Sequence, residues 1–325
     1  MTTSLESKLP KRTLIIGAAG FLGYAVGKKL AESGLITLGI DRRKEDDSKT
    51  RTRCFNELLL TPGFFLLRGD PGDFAFVSET IRNRSPECVL YLDGPSENRR
   101  VAVSSGLAGF SNVLEACAAN PKVKKLFFRT SDAVYGDHGS TPVREEDADD
   151  GPAESIGAIE RATEVLAQSV ARDPGSRLSV TSLRIFNPYG PGESDESLIG
   201  SLCAAQESGR PVKIPGAGDT ILDCTYVDDV VDAVLLAMRI GRPEGSPRFD
   251  ALNIGSGRGT TVLEILSEIE SASGRTAVKT FVPQPFAASR VADISRIRRL
   301  TGFSPKVPLD EGIRKTFEWH QTHRA

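Results

Sequence analysis

Arg12-Thr-Leu-Ile-Ile-Gly17-Ala-Ala-Gly20-Phe-Leu-Gly23 decides how this chain folds. Leu14–Ile16 reads as a short buried strand, and Leu22–Ser33 has the apolar period of a helix. Gly17, Gly20, Phe21, Leu22 and Gly23 make the turn between them. Glycines at a strand-to-helix turn let the backbone approach a pyrophosphate and let helix and strand pack closely. The helix start then offers free N–H groups and a partial positive charge to phosphate. The spacing is G-x-x-G-x-x-G, and a glycine triplet alone is weak evidence. Its weight comes from Asp41, which closes the second apolar run, Ile36–Ile40. A carboxylate at that point accepts hydrogen bonds from both adenosine ribose hydroxyls and repels a 2′-phosphate, which favours NAD over NADP. Arg42 and Arg43 argue the other way, because a guanidinium beside the ribose can hold a phosphate.

Working outward, strand-length apolar runs recur at Phe64–Leu67, Val89–Leu92, Leu126–Arg129 and Val180–Ile185. Segments of helical period lie between them at Phe74–Arg84, Ala102–Ala119 and Ile156–Arg172. This alternation predicts an α/β fold, a doubly wound parallel sheet of the Rossmann type covered on both faces. After residue 186 the chain turns rich in Pro and Gly, as in Asn187-Pro-Tyr-Gly-Pro-Gly192 and Pro243-Glu-Gly-Ser-Pro247. We read residues 1–186 as mainly the dinucleotide-binding part. Residues 187–325 read as mainly a smaller C-terminal substrate-binding lobe, with 225–257 returning to the core. Val227–Met238 is expected to be a helix of that return. Glu311–His323 reads as a terminal helix anchored by Trp319.

Composition bounds the function. The chain has 325 residues, 39% hydrophobic and 26% charged, with a formal net charge of −2. That balance gives no reason to expect nucleic acid or an anionic membrane as partner, and pairs such as Arg99-Arg100 are too short to change it. The first ten residues have no apolar core of the secretory type. Five scattered cysteines argue for reduced thiols in a cytoplasmic setting. Three histidines without ligand spacing give no metal site. Arg144-Glu-Glu-Asp-Ala-Asp-Asp150 reads as a solvated acidic loop, and Asp228 and Asp229 as helix-start carboxylates.

Several stretches together resemble the extended short-chain dehydrogenase/reductases, the NAD-dependent epimerase/dehydratase family. They are the glycine turn, Arg68-Gly-Asp70, Phe128-Arg-Thr-Ser-Asp-Ala-Val-Tyr-Gly136, Arg184-Ile-Phe-Asn-Pro-Tyr-Gly-Pro-Gly192, Asp223-Cys-Thr-Tyr-Val-Asp-Asp-Val230, Asn253-Ile-Gly-Ser-Gly257 and Asp293-Ile-Ser-Arg-Ile-Arg-Arg-Leu300. The resemblance implies that Asp70 contacts adenine. It makes Ser131, with Thr130 beside it, the hydroxyl that holds the reacting substrate oxygen. Tyr135 matches a tyrosine that shapes the site, and Asn187 and Tyr189 become polar substrate contacts. The family often dimerises through two long helices, here Ala102–Ala119 and Ile156–Arg172, so a homodimer is implied by analogy.

The chain departs from that pattern where the chemistry sits. The family uses a Tyr-x-x-x-Lys pair: the Tyr exchanges the hydroxyl proton, and the Lys holds the nicotinamide ribose. Here the aligned helix puts Ile156 and Glu160 at those positions. Ile156 has no proton to exchange, and hydride transfer needs a proton partner. Glu160 can accept a ribose hydrogen bond or act as a base, or it can be a solvated residue facing Arg161. Tyr135 and His138 are the other candidates for the proton role. Tyr91-Leu-Asp-Gly94 replaces the family's His-Leu-Ala-Ala and puts Leu92 and Asp93 beside the dinucleotide. Two arginines that clamp a substrate diphosphate are replaced by Leu222 and Pro283. Arg290 stands in only if its loop shifts, and the substrate then need not carry a nucleotide.

These observations lead to an NAD-binding enzyme with a rewired site, acting on a hydroxyl or carbonyl of a sugar-like or other small polar substrate. A non-redox reaction with NAD as a structural group stays open. The alternative is a non-catalytic NAD-binding sensor or pseudoenzyme.

Overall fold

The computed structural model describes residues 8–42, 49–94, 102–150, 154–241, 248–283 and 288–323. Arg43, the Arg99-Arg100 pair and Pro243–Pro247 lie outside the described residues.

Seven strands form one parallel sheet: β1 (Arg12–Ile16), β2 (Ile36–Asp41), β3 (Phe64–Arg68), β4 (Cys88–Tyr91), β5 (Lys125–Ser131), β6 (Ser179–Ile185) and β7 (Phe249–Ile254), in the order β7-β6-β5-β4-β1-β2-β3. The chain starts at β1 and winds to one edge, then returns across β1 and winds to the other. The change of direction opens a crevice between β1 and β4 beyond their carboxyl ends, where this topology receives ligands. The central strands are almost wholly buried, because helices cover both faces.

One face is covered by α1 (Phe21–Glu32), α2 (Lys49–Leu60) and, further along the chain, α7 (Val227–Met238), with α1 against both others. The other face carries α3 (Phe74–Arg84), α4 (Ala108–Ala119) and α5 (Ser155–Arg172). The expected helix from residue 102 begins instead as a π-helical turn, Ala102–Leu107, and becomes α-helical only at Ala108. α2 and β7 have no counterpart among the expected elements. Among its described side chains α2 buries only a narrow stripe of Cys54, Phe55 and Leu58 in a run rich in Arg and Thr. β7 breaks its apolar run with Asp250 and Asn253.

Three further helices, α6 (Leu198–Ser208), α8 (Val262–Ser273) and α10 (Leu309–His323), pack together beyond the sheet. Short α9 (Ser295–Thr301) lies against β7 and α7. In α10 the buried anchors are Ile313, Phe317 and His320. Trp319 is only half-buried and stacks on His323, so it is not the packing anchor expected. Asp229 does more than favour a helix start: its carboxylate accepts the backbone N–H groups of Lys306 (2.9 Å) and Val307 (3.0 Å), tying α7 to the segment before α10. Among the described residues, no helix is long and apolar enough to cross a membrane, and no three of His, Cys, Asp and Glu stand close enough to hold a metal ion.

Candidate functional site

At the first turn, Gly17 adopts a φ of +80°, and its N–H and that of Ala18 bond to the Ile40 carbonyl. A Cβ on Gly23 would fall 2.0 Å from the Gly17 carbonyl oxygen, so the close approach of helix and strand depends on its absence. Gly20 starts α1 with no side-chain cap, and the first turn carries no acid. Its N–H donors and dipole therefore face the crevice without a built-in anion. Phe21 is half-buried at the helix start, whereas Leu22 points into the core.

Asp41 sits at the end of β2, 2% exposed. One carboxylate oxygen accepts the Ala19 N–H (2.8 Å), and the other pairs with Arg51 of α2 (2.8 Å). Arg51 is a guanidinium the sequence reading missed, since α2 itself was missed. Arg42 turns away from this corner and pairs with Asp93 (2.9 Å), so the two lie beside the turn that links β1 to α1. Burial raises the Asp93 carboxyl above the usual range, with Arg42 and Arg51 opposing that rise. Leu92 is a core residue with its N–H on the Ile16 carbonyl, so its side chain does not line the crevice. Asp70 is exposed and accepts the Gly72 N–H (2.8 Å), closing the turn after β3. Glycine turn, uncapped helix start and buried ribose-type carboxylate together fit a dinucleotide.

The second half of the site lies at the end of β5. Ser131 caps the short helical turn Asp132–Tyr135, its Oγ accepting the Ala133 N–H (3.2 Å). The same hydroxyl donates to Glu160 Oε2 (2.6 Å), which also accepts the Ser131 N–H (2.9 Å). Glu160 is 3% exposed. It is therefore no solvated residue, and Arg161 pairs instead with Glu164 (2.6 Å). Burial pushes the Glu160 carboxyl up to about 7, against the Ser131 hydrogen bond and the nearby Arg129 charge. Its Oε1 has no hydrogen-bond partner among the described residues. Ile156 stands one turn earlier on α5, half-buried.

The other proposed catalytic side chains do not join this pair. Thr130 faces the opposite side of β5 and shares a hydrogen bond with Ser182 (2.9 Å). Ser182 in turn donates to Glu164, which grips Arg184 through both carboxylate oxygens (2.8 Å each). Tyr135 is fully buried, receives a hydrogen bond from Arg184 (2.9 Å) and donates to Asn253. Burial raises its pKa, and its hydroxyl is engaged by two buried side chains. His138 is half-buried and holds the Tyr135 carbonyl through Nε2 (3.0 Å). Tyr189 is 1% exposed, edge-on to Tyr226, with its hydroxyl against Gly312 of α10; it is a core residue. Asn187, at a φ of +31°, donates to the Asp223 carbonyl (3.3 Å) and shapes the turn after β6.

Arg290 is committed within the fold. Its guanidinium is buried and committed to the Gly136 carbonyl, Asp132 (3.2 Å) and Glu154 (3.1 Å). Sequence reasoning also passed over Arg129. A guanidinium near the end of a buried apolar strand, in Phe127-Phe-Arg-Thr-Ser131, is itself the signal, since arginine is rarely enclosed without a reason. Its Nη1 lies against Gly94, and its Nε is enclosed with no partner among the described residues.

Comparisons with known proteins agree with this geometry. Residues 13–255 match the model of the NAD dependent epimerase/dehydratase family. A probable UDP-glucuronate 4-epimerase of Rhizobium meliloti is 27% identical, over 95% of this chain and 96% of its own. A UDP-glucuronate 4-epimerase of Thermodesulfobacterium geofontis is 28% identical, over 94% of this chain and 95% of its own. Among solved structures, MoeE5 in complex with UDP-glucuronic acid and NAD superposes with a TM-score of 0.82 at 28% identity, covering 96% of this chain and 99% of that one. With the parallel sheet, the glycine turn and Asp41 in the expected places, the chain belongs to the NAD dependent epimerase/dehydratase family.

Proposed function

We propose that this chain is an NAD-dependent enzyme acting at a carbinol or carbonyl carbon of a sugar-like substrate, with Glu160 working through Ser131 as its proton partner. The observation that carries the reading is the 2.6 Å hydrogen bond from Ser131 Oγ to a buried glutamate, whose carboxyl burial pushes up to about 7. A group poised there can take and return a proton near neutral pH. Relatives named for UDP-glucuronate epimerisation and neighbours holding NAD support the class of substrate and cofactor.

NAD, when bound, supplies the acceptor for the hydride that leaves the carbinol carbon. The chain's own part is binding and proton movement. Gly17, Gly20 and Gly23 with the start of α1 would hold the diphosphate, and Asp41 the adenosine ribose, disfavouring a 2′-phosphate. Ser131 Oγ receives the proton of the substrate hydroxyl and gives its own to Glu160 Oε2. In the reverse direction Glu160 returns it through Ser131 to the carbonyl oxygen. Leu222 and Pro283 offer no guanidinium for a diphosphate, so sugars without a nucleotide belong in the substrate panel beside UDP-glucuronate. Exposed Val165 and Leu166 on α5, with Val103 ahead of α4, suit the pairing of two copies through these helices.

The test is turnover of UDP-glucuronate, UDP-glucose and free sugars, read by mass spectrometry and proton NMR. Ser131→Ala lowers kcat by about 10²–10⁴-fold. In the intact enzyme kcat rises with pH through about 7 as Glu160 ionises, and Glu160→Gln removes that limb. Unchanged turnover in Ser131→Ala contradicts the assignment. The sensor reading draws on Ile156, which has no proton to exchange. It predicts NAD binding without turnover of any member of the panel.

A further inference from the structure

β2 and β4 flank β1 in the parallel sheet, so their carboxyl ends lie on either side of the glycine turn. Arg42 is the first residue after β2, and Asp93 is the second after β4. The ends of two such strands stand about 9–10 Å apart, with one strand between them. The Arg42–Asp93 ion pair, 2.9 Å from Nη2 to Oδ2, therefore spans the carboxyl end of β1. Gly17 lies against it: a Cβ there would fall 2.7 Å from the Asp93 backbone nitrogen and 3.0 Å from the Asp93 Cβ. Both side chains are partly exposed, and neither makes another hydrogen bond among the described residues. The pair can part without breaking one.

A dinucleotide bound by this topology runs the same way. Its adenosine lies at the end of β2, its diphosphate over the β1 turn, and its second half toward β4. Ion pair and ligand share one path, so entry requires the pair to part. Resting on the NAD reading above, we propose that Arg42 and Asp93 form a clasp over the crevice, opening to admit the dinucleotide and re-forming across its diphosphate. The charges suit the closing step. A guanidinium between a carboxylate and a diphosphate meets an anion on each side, whereas the carboxylate alone repels the diphosphate. The pattern this chain resembles has alanine where Asp93 stands, so the clasp is a feature of this chain.

The experiment is stopped-flow fluorescence of the intact chain and its variants with NADH, whose own emission reports binding. Circular dichroism melts report that each variant is folded. Asp93→Asn keeps the shape of the side chain and frees the clasp. Its association and dissociation rates are each expected to rise about tenfold or more, because binding no longer waits on a conformational step. Arg42→Ala leaves a bare carboxylate beside the diphosphate, and NADH affinity falls about tenfold or more. The double variant recovers that affinity while keeping fast entry, because the repelling charge is gone. Rates in Asp93→Asn equal to those of the unaltered chain overturn the proposal and leave the NAD reading standing. An equal loss of affinity in both single variants, not recovered in the double, makes the pair a structural tie and also overturns it. Absence of NADH binding by the unaltered chain removes the NAD reading, and this proposal with it.

Discussion

Glu160 occupies a helix position whose burial the sequence left open and the structure shows. α5 buries Gly157, Glu160, Glu164, Ala167 and Ala171 along one stripe, so two carboxylates lie on its inner face. They meet different fates. Glu164 finds Arg184, Ser182 and Arg161, which outweigh its burial and hold its pKa below the usual range. Among the described residues Glu160 hydrogen-bonds only to Ser131, and burial outweighs that bond and the nearby Arg129 charge. Its folded-state pKa of about 7 lies above the unfolded value of 4.5, so the folded chain binds an extra proton between those pH values. That contribution to stability is present at low pH, falls as pH rises through the window and is gone above about 7. Glu160→Gln cannot ionise. It should raise Tm at pH 8 by several degrees, from about 2–3 kcal/mol, and change it little at pH 4. Equal shifts at both pH values in a thermal melt contradict a raised carboxyl. Ser131 was legible because a motif carried it. Thr130 and Tyr189 came to the cleft through the resemblance, and their packing was not legible in the residues themselves. Strand alternation sends Thr130 inward, and Gly312 lets α10 close over Tyr189.

Among elements, the β1-to-α1 turn holds the strongest local constraint. A methyl at Gly23 meets a backbone carbonyl oxygen, which cannot move without moving the strand. Gly23→Ala should cost about 1–3 kcal/mol of stability and abolish NAD⁺ binding, as read by denaturant melts and calorimetry. A variant with native affinity contradicts the close approach assigned to this turn. The turn was legible because its residues follow a local steric rule. The central strands were legible because full burial demands continuous apolar runs. α2 and β7 were not, since their place depends on tertiary partners: α2 needs only three buried contacts, and β7 tolerates Asn253 because Val143 and Asp293 carbonyls accept its amide. Arg51 went unseen with α2.

Across the whole molecule, a few buried carboxylates fasten the C-terminal elements to the sheet. Asp223 is fully buried and accepts four hydrogen bonds, from Ser256 N–H (2.7 Å) and O–H (2.6 Å), Gly257 N–H (2.9 Å) and Ala292 N–H (3.0 Å). It joins the segment after β7 to the strand at Val291–Ala292. Asp223→Ala strands these donors and should cost about 3 kcal/mol or more. A chemical melt that shows no loss contradicts this role. No spacing in the sequence announces such a junction, because its three segments are far apart along the chain. The crevice, by contrast, follows from the strand order; the alternating pattern announces the parallel sheet, and the order itself is seen only in the structure.

The account rests on one binding event at that crevice. Titration of the purified chain with NAD⁺, with Asp41→Ala alongside, measures it most directly. The account predicts saturable binding by the unaltered chain, weaker binding of NADP⁺, and a loss of about tenfold or more in NAD⁺ affinity for Asp41→Ala. No heat of binding from NAD⁺ or NADH at any concentration, or equal affinity with and without the Asp41 carboxylate, would contradict it.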